Sequence, residues 1–338
     1  MLEICPYTYL GMSVTNSTLT LLALLCCLTS FSAVAQDAGA EAEDPFETAG
    51  LVERASGGGG PSGVLSIQDD NNSIRQGPYS FNFFSLISTD GVTHKQEDPQ
   101  WGSYNYIGIN YRLNFDEQIS LRPAFNYNTP GRNRFGTYDD GGLIMGDTYF
   151  QYAHFNALNL PGGISTVAQY RWYFPTGRNS QDRKTFGIAQ ARWIFTRSFP
   201  HKIQLNYHVY PRYWFQSRTA GINKFTYADG TPGASINGNP RFEVEHFLQF
   251  GKILTTKWAL LLDLGTTIRE TYASDANDID KRRTEEINLG VGFRYNFNSR
   301  MDFIMSVGND IRTKYTRRPI KLGRDEEMNY ALLTFIRL

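Results

Sequence analysis

From residue 77 to its end the chain alternates apolar and polar residues, and it does so in blocks too long for chance. Ile107, Ile109, Tyr111, Leu113 and Phe115 share one side, with Asn110, Arg112 and Asn114 on the other. The next block repeats this, with Ile119, Leu121, Phe125 and Tyr127 against Ser120, Arg122 and Asn126. So do Ile203 to Phe215, where Asn206, His208, Tyr210 and Arg212 take the polar side, and Ile287 to Phe297, where it holds Asn288, Arg294 and Asn296. A period of two is the signature of a strand with two unlike faces. The pattern predicts strands over 78–88, 103–115, 117–128, 147–156, 164–174, 185–196, 201–216, 240–251, 256–269, 284–297, 300–311 and 328–338.

The connections are sorted by length. Those at 116–117, 159–163, 197–200, 253–256 and 298–300 are short, whereas those at 89–102, 129–146, 175–184, 217–239, 270–283 and 312–327 are long. Short and long alternate without a break. This is the pattern of a transmembrane antiparallel up-and-down β-barrel of about twelve strands, with tight periplasmic turns, long external loops and both termini in the periplasm. A soluble sandwich also alternates its faces, but nothing in it would sort its loops. The apolar side carries Tyr, Trp and Phe near segment ends, as a belt at a lipid boundary does, and a closed barrel satisfies every backbone hydrogen bond in lipid.

Ahead of the strands, TLTLLALLCCLTSFSAVAQ supplies an apolar run followed by Ala33-Val34-Ala35. It reads as a signal peptide over 1–35 cut before Gln36, although no Lys or Arg precedes Arg54. Residues 36–76 are acidic and glycine-rich, a flexible lead-in to a barrel domain over 77–338. Cys5, Cys26 and Cys27 all fall in the leader, so the exported chain is expected to have no disulfide and no thiol chemistry. After the leader no stretch of about 18 apolar residues marks a membrane helix.

Charge and composition refine the picture. With 33 basic and 33 acidic residues the chain is neutral, which argues against a nucleic-acid partner. Aromatics make up 14% of the chain, spread at the period of two rather than gathered in one core. The polar faces would line the lumen with Arg112, Arg122, Arg171, Arg192, Arg212, Arg241, Arg269, Arg294, Arg312 and Arg337, against Asp147, Glu243, Glu245, Asp263, Glu286 and Asp310. Two readings stay open. Such charges either face a water column and sort solutes by sign, or pair across a narrow interior as a polar core. The numerical lead of arginine implies a preference for anions in the first case. The final long loop places Arg312, Lys314, Arg317, Arg318, Lys321 and Arg324 close together. If external, it faces lipopolysaccharide phosphates or an acidic solute; otherwise it is a solvated loop.

Catalytic chemistry has little to stand on. Of five histidines, His94 and His201 fall beside turns or loops, His208 faces inward, and His154 and His246 point outward. None forms a His-x-Ser arrangement on one strand face. His208, with Glu243 and Glu245 on the next strand, is the closest approach to a site. No metal-ligand spacing, P-loop or dinucleotide glycine motif occurs, so neither a metal nor a cofactor is expected.

Taken together, residues 77–338 resemble Gram-negative outer-membrane β-barrels, including a terminal strand, YALLTFIRL, of the kind recognised by the barrel-assembly machinery, here ending in Leu338 rather than phenylalanine. A finer similarity lies in Gly146-Asp147 opening a strand and Pro175-Thr176-Gly177 closing another. It resembles the GD and PTG pattern of the outer-membrane channel family associated with aromatic-compound (phenol) degradation operons. The resemblance implies a porin-like or transporter-like barrel; the alternatives are a non-conducting structural or adhesin-like surface barrel and an outer-membrane lipid-modifying enzyme. The expected form is a monomer in outer-membrane lipid, conducting small polar or amphipathic solutes. In it Pro175 ends a strand, Gly177 allows the turn, and Asp147 accepts an arginine at the lumen rim.

Overall fold

The computed structural model describes residues 78–133, 136, 138–226, 232–272, 283–312 and 328–338. The expected leader, the lead-in and the basic cluster from Lys314 to Arg324 lie outside the described residues, as does the side chain of Arg312. The strands are β1 (Tyr79–Asp90), β2 (Gly102–Arg112), β3 (Glu117–Arg122), β4 (Ala124–Asn128), β5 (Gly131–Arg132), β6 (Tyr138–Asp139), β7 (Gly142–Met145), β8 (Tyr149–Phe155) and β9 (Ile164–Tyr173). They continue as β10 (Thr185–Phe199), β11 (Ile203–Gln216), β12 (Ala220–Thr226), β13 (Pro232–Gly238), β14 (Pro240–Ile253), β15 (Trp258–Thr271), β16 (Arg283–Asn298), β17 (Met301–Arg312) and β18 (Met328–Arg337). Two short helices, α1 (Gly91–His94) and α2 (Arg178–Asp182), sit in the longer connections.

Each barrel strand pairs antiparallel with its neighbours, and β1 pairs with both β2 and β18. The ring β1, β2, β3, β8, β9, β10, β11, β14, β15, β16, β17, β18 therefore closes with no edge. Closure puts Asn82 opposite Arg337 on one side and Gly108 on the other. The last residue is tied in as well, the Leu338 N–H donating to the Phe81 carbonyl at 2.9 Å.

One of the expected strands is interrupted. Residues 117–128 run as β3 and β4 because Pro123 has no N–H to give the ladder, yet its carbonyl still accepts from Ile107 at 3.2 Å. The partner strand breaks at Gly146–Thr148, so β3 pairs with β8 and β4 with β7. The sequence pattern missed β7 and the hairpins β5–β6 and β12–β13, which lie within segments read as loops.

Side chains divide as the period of two requires. The outward face bears exposed Ile107, Ile109, Leu121, Leu262, Leu264, Val291 and Met305. Rings gather toward the strand ends, with Tyr79 against Tyr111 (5.0 Å between centroids) and Trp258 against Tyr295 (4.7 Å) at the end of the short turns. Toward the long loops, Trp172 meets Phe215 at 5.5 Å. The inward face departs from expectation. It is not uniformly polar, since Phe84, Leu86, Tyr106, Ala124, Ala259, Leu261, Ile304 and Leu333 form one buried cluster inside the barrel, and Val167, Ile194, Tyr210 and Phe247 a second. Removing this apolar area from water contributes to stability at about 25 cal/mol per Å². It gives the barrel an internal core as well as an external lipid face.

The charged lumen as a candidate functional site

An arginine and tyrosine ladder crosses the inner wall. Arg122, inward on β3, donates from Nη1 to the hydroxyls of Tyr106 on β2 and Tyr149 on β8, both at 3.3 Å. Arg171 on β9 lies over the Tyr149 ring at 4.9 Å and donates from Nε to Gln151 Oε1 at 2.7 Å. Its Nη atoms reach the Tyr173 hydroxyl (3.4 Å) and Gln169 Oε1 (3.3 Å). Arg192 on β10, fully buried, lies over the Tyr210 ring at 4.4 Å and bonds Gln190, which also accepts from the Tyr173 hydroxyl at 3.0 Å. A guanidinium over an aromatic face is attracted by the ring quadrupole, and the interaction strengthens when desolvated. Antiparallel register builds the ladder: Tyr149 is opposite Tyr173, and Gln151 opposite Arg171, which is opposite Gln190.

Past Tyr210 carboxylates enter the wall and pair with arginines. Glu243 on β14 meets Arg212 at 3.6 Å and Arg269 at 2.7 Å. Glu245 is buried beside it, facing Tyr210 across the ladder. Asp263 on β15, Glu286 on β16 and Asp310 on β17 follow around the ring, all half-buried. Asp310 accepts from the Asn288 side chain at 2.5 Å and from Asn329 at 3.1 Å. At the short-turn end, Asp302 is held between Arg294 and Arg337, each at 2.9 Å.

Several expected site residues lie elsewhere than the pattern implied. Arg112 has inward parity but is exposed at the short-turn end of β2, because the strand runs out of the barrel there. Arg241 sits at a register shift between Pro240 and Phe242 and is exposed, its guanidinium 5.9 Å from the Tyr272 ring. His208 is buried and inward as expected, but register sets it opposite Phe247 rather than a carboxylate. Its ring stacks on Phe247 at 4.2 Å, and its Nδ1 meets the Tyr210 hydroxyl at 2.6 Å.

The GD and PTG segments do meet, in a different role from the one expected. Asp147 accepts from the Gly177 N–H at 2.8 Å and from the Ser180 hydroxyl, rather than from an arginine. Thr176 joins the strand break through its hydroxyl, which donates to the Gly146 carbonyl and accepts from the Thr148 N–H, both at 2.8 Å. Gly177 has φ −77°, so the turn itself does not need glycine. A Cβ there would stand 2.9 Å from Asp147 Oδ1, so the close approach needs it. Asp147→Ala is expected to free the segment 175–184, costing about 1 kcal/mol locally. Limited proteolysis would read this as faster cleavage there, with thermal unfolding of the barrel unmoved.

On the outer face, Thr266 Oγ1 and His246 Nε2 approach to 2.6 Å across β15 and β14. Among the described residues no third group orients that imidazole, which a hydroxyl nucleophile requires.

Tyr106 and Tyr149 were absent from the expected site, although Tyr106 has the parity of Asn110 and was legible from it. No protein-family model matches the sequence, and no curated protein matches it. Among solved structures, the COG4313 outer membrane channel from Pseudomonas putida F1 aligns with TM-score 0.53 and 12% identity, over 81% of this chain and 100% of that one. The KdgM porin aligns at 0.41 and 7% identity, over 75% and 98% of the two chains. The translocator domain of autotransporter NalP from Neisseria meningitidis aligns at 0.40 and 12%, over 86% and 94%. Closure, strand order and the first of these likenesses lead to one conclusion: the chain folds as a twelve-stranded antiparallel β-barrel of the outer-membrane type.

Proposed function

We propose that the protein is an outer-membrane channel that passes small polar or amphipathic solutes with a preference for anions. One observation carries the reading. On the barrel strands from β3 to β10 every buried inward charge is an arginine, Arg122, Arg171 and Arg192, while the inward carboxylates Glu243, Glu245, Asp263, Glu286, Asp302 and Asp310 lie on β14 to β17. A core built only for stability has every reason to interleave opposite charges. The carboxylates share their arc with Arg212, Arg269, Arg294 and Arg337, but the arc from β3 to β10 holds buried arginine and no buried acid, and such a one-signed arc makes a field across the bore that attracts and orients an anion. The aligned channel from Pseudomonas putida is described as an outer membrane channel, which agrees with this reading. In this placement the short turns face the periplasm, the long loops face outward beside lipopolysaccharide, and the monomer is inserted by the barrel-assembly machinery.

A second reading has its own support. Arg192, Tyr149 and Tyr210 are 0%, 1% and 1% exposed, so side chains fill the middle of the barrel, as they would in a non-conducting structural or adhesin-like barrel. Single-channel recording of the refolded barrel in a planar bilayer under a salt gradient separates the two. Small steady conductance with a reversal potential favouring chloride is expected, weakened by the double replacement Arg171→Gln and Arg212→Gln. Repeated insertion without current would overturn the channel reading in favour of the second.

A further inference from the structure

Arg122 is a buried cation outside the ion pairs described above. Arg122 is 3% exposed, and its partners among the described residues are the two phenol hydroxyls of Tyr106 and Tyr149, with no carboxylate. Its Nε is buried with no hydrogen-bond partner. Burying a guanidinium without a counter-charge is costly, and the tyrosine faces offset only part of that cost.

A second buried donor without a partner lies on β1, across β2 from it. Asn82, 6% exposed, accepts at Oδ1 from Asn110 at 2.9 Å, while its Nδ2 is buried with no partner. Register places Asn82 opposite Gly108, and the pairing of Ile109 with Leu121 sets Gly108 next to Arg122. Gly108 is what lets Asn82 lean across β2, since a Cβ there would stand 2.2 Å from Asn82 Oδ1. Asn110, Ser120 and Arg337 make the short-turn side of this pair polar, and the side facing into the barrel is apolar. Phe84 stacks on Tyr106 at 4.8 Å and 12°, within the cluster that includes Ala124 and Leu333.

We infer that Arg122 and Asn82 form a binding station for a small carboxylate carrying an apolar body. The carboxylate takes the Arg122 Nε–H and the Asn82 side-chain N–H, and the apolar body lies against Phe84 and Tyr106. A carboxylate suits the donors because charge-assisted hydrogen bonds to guanidinium are among the strongest available. The apolar neighbours supply what a bare inorganic anion would leave unused. The station rests on the channel reading only for the solute's way in.

The test measures binding apart from current. Calorimetric titration of the purified barrel in detergent uses sodium hexanoate, sodium acetate and hexan-1-ol as probes. Hexanoate is expected to bind more tightly than acetate, and hexanol not at all. Arg122→Gln should weaken hexanoate about tenfold or more, the loss of one charge-assisted hydrogen bond, while Arg122→Lys retains it in part. If Arg122→Gln fails to fold, Asn82→Leu carries the same test with the same direction of loss. Hexanoate binding unchanged in these variants, or absent from the wild type, overturns the station. Acetate equal to hexanoate overturns its apolar half. A barrel that binds hexanoate yet never conducts refutes the channel and leaves the station standing; one that conducts and ignores hexanoate does the reverse.

Discussion

Asp302→Ala is expected to destabilise the barrel by about 3 kcal/mol or more, because it leaves two arginines facing each other around an empty carboxylate position. Asp302 accepts from Arg294 and Arg337 at 2.9 Å each, with side-chain exposures of 9%, 5% and 26%. Arg337 is further tied to the Ser299 carbonyl, so the triad pins β18, the closing strand, to β16 and β17 at the short-turn end. Deleting the acid is therefore worse than deleting the whole triad. A triple variant with Met at 294 and Leu at 302 and 337 should recover most of the loss, since apolar groups of similar volume often replace a buried ion cluster without cost. Urea unfolding in lipid vesicles, followed by tryptophan fluorescence, reads both. If Asp302→Ala unfolds at the wild-type midpoint, the triad contributes nothing to closure.

Gly265→Ala should cost about 2–3 kcal/mol, the range of overpacking in a filled interior. Gly265 faces the lumen on β15 opposite Phe247 on β14. An added Cβ would lie 2.4 Å from Phe247 Cβ and 2.7 Å from the His246 carbonyl oxygen, and that second neighbour is backbone, which cannot swing away. Relief would push Phe247 off His208, where the rings stack at 4.2 Å, and away from Tyr210, whose ring carries Arg192. The effect would thus reach the arginine ladder from the opposite side of the site. Thermal unfolding of the alanine variant gives the cost, and a midpoint equal to wild type would mean that the lumen is packed more loosely than these distances imply.

Both predictions concern contacts that the linear pattern did not show. The period of two told which side of each strand faces inward, and the residues Arg122, Arg171, Arg192, Glu243 and Glu245 that it assigns to that side are buried. It could not say which partner each would meet. Arg212 and Glu243 are thirty-one positions apart yet opposite in register, and the closing pair Asn82 and Arg337 spans nearly the whole barrel domain. Asp147, expected to accept an arginine at the lumen rim, instead has α2 folded back onto it through Gly177 and Ser180.

What the sequence determined by itself was the topology: strand positions, the alternation of short and long connections, the aromatic ends and the inward parity. All of these are set by neighbours along the chain and by the contrast between lipid and water, so they are legible locally. Only the tertiary structure decided that the lumen holds apolar clusters beside its charges, that the arginines stack on tyrosines, and that the carboxylates gather on one arc of the wall, where they pair with Arg212, Arg269, Arg294 and Arg337. Those features depend on side chains that approach one another only when β1 meets β18 and the sheet becomes a ring.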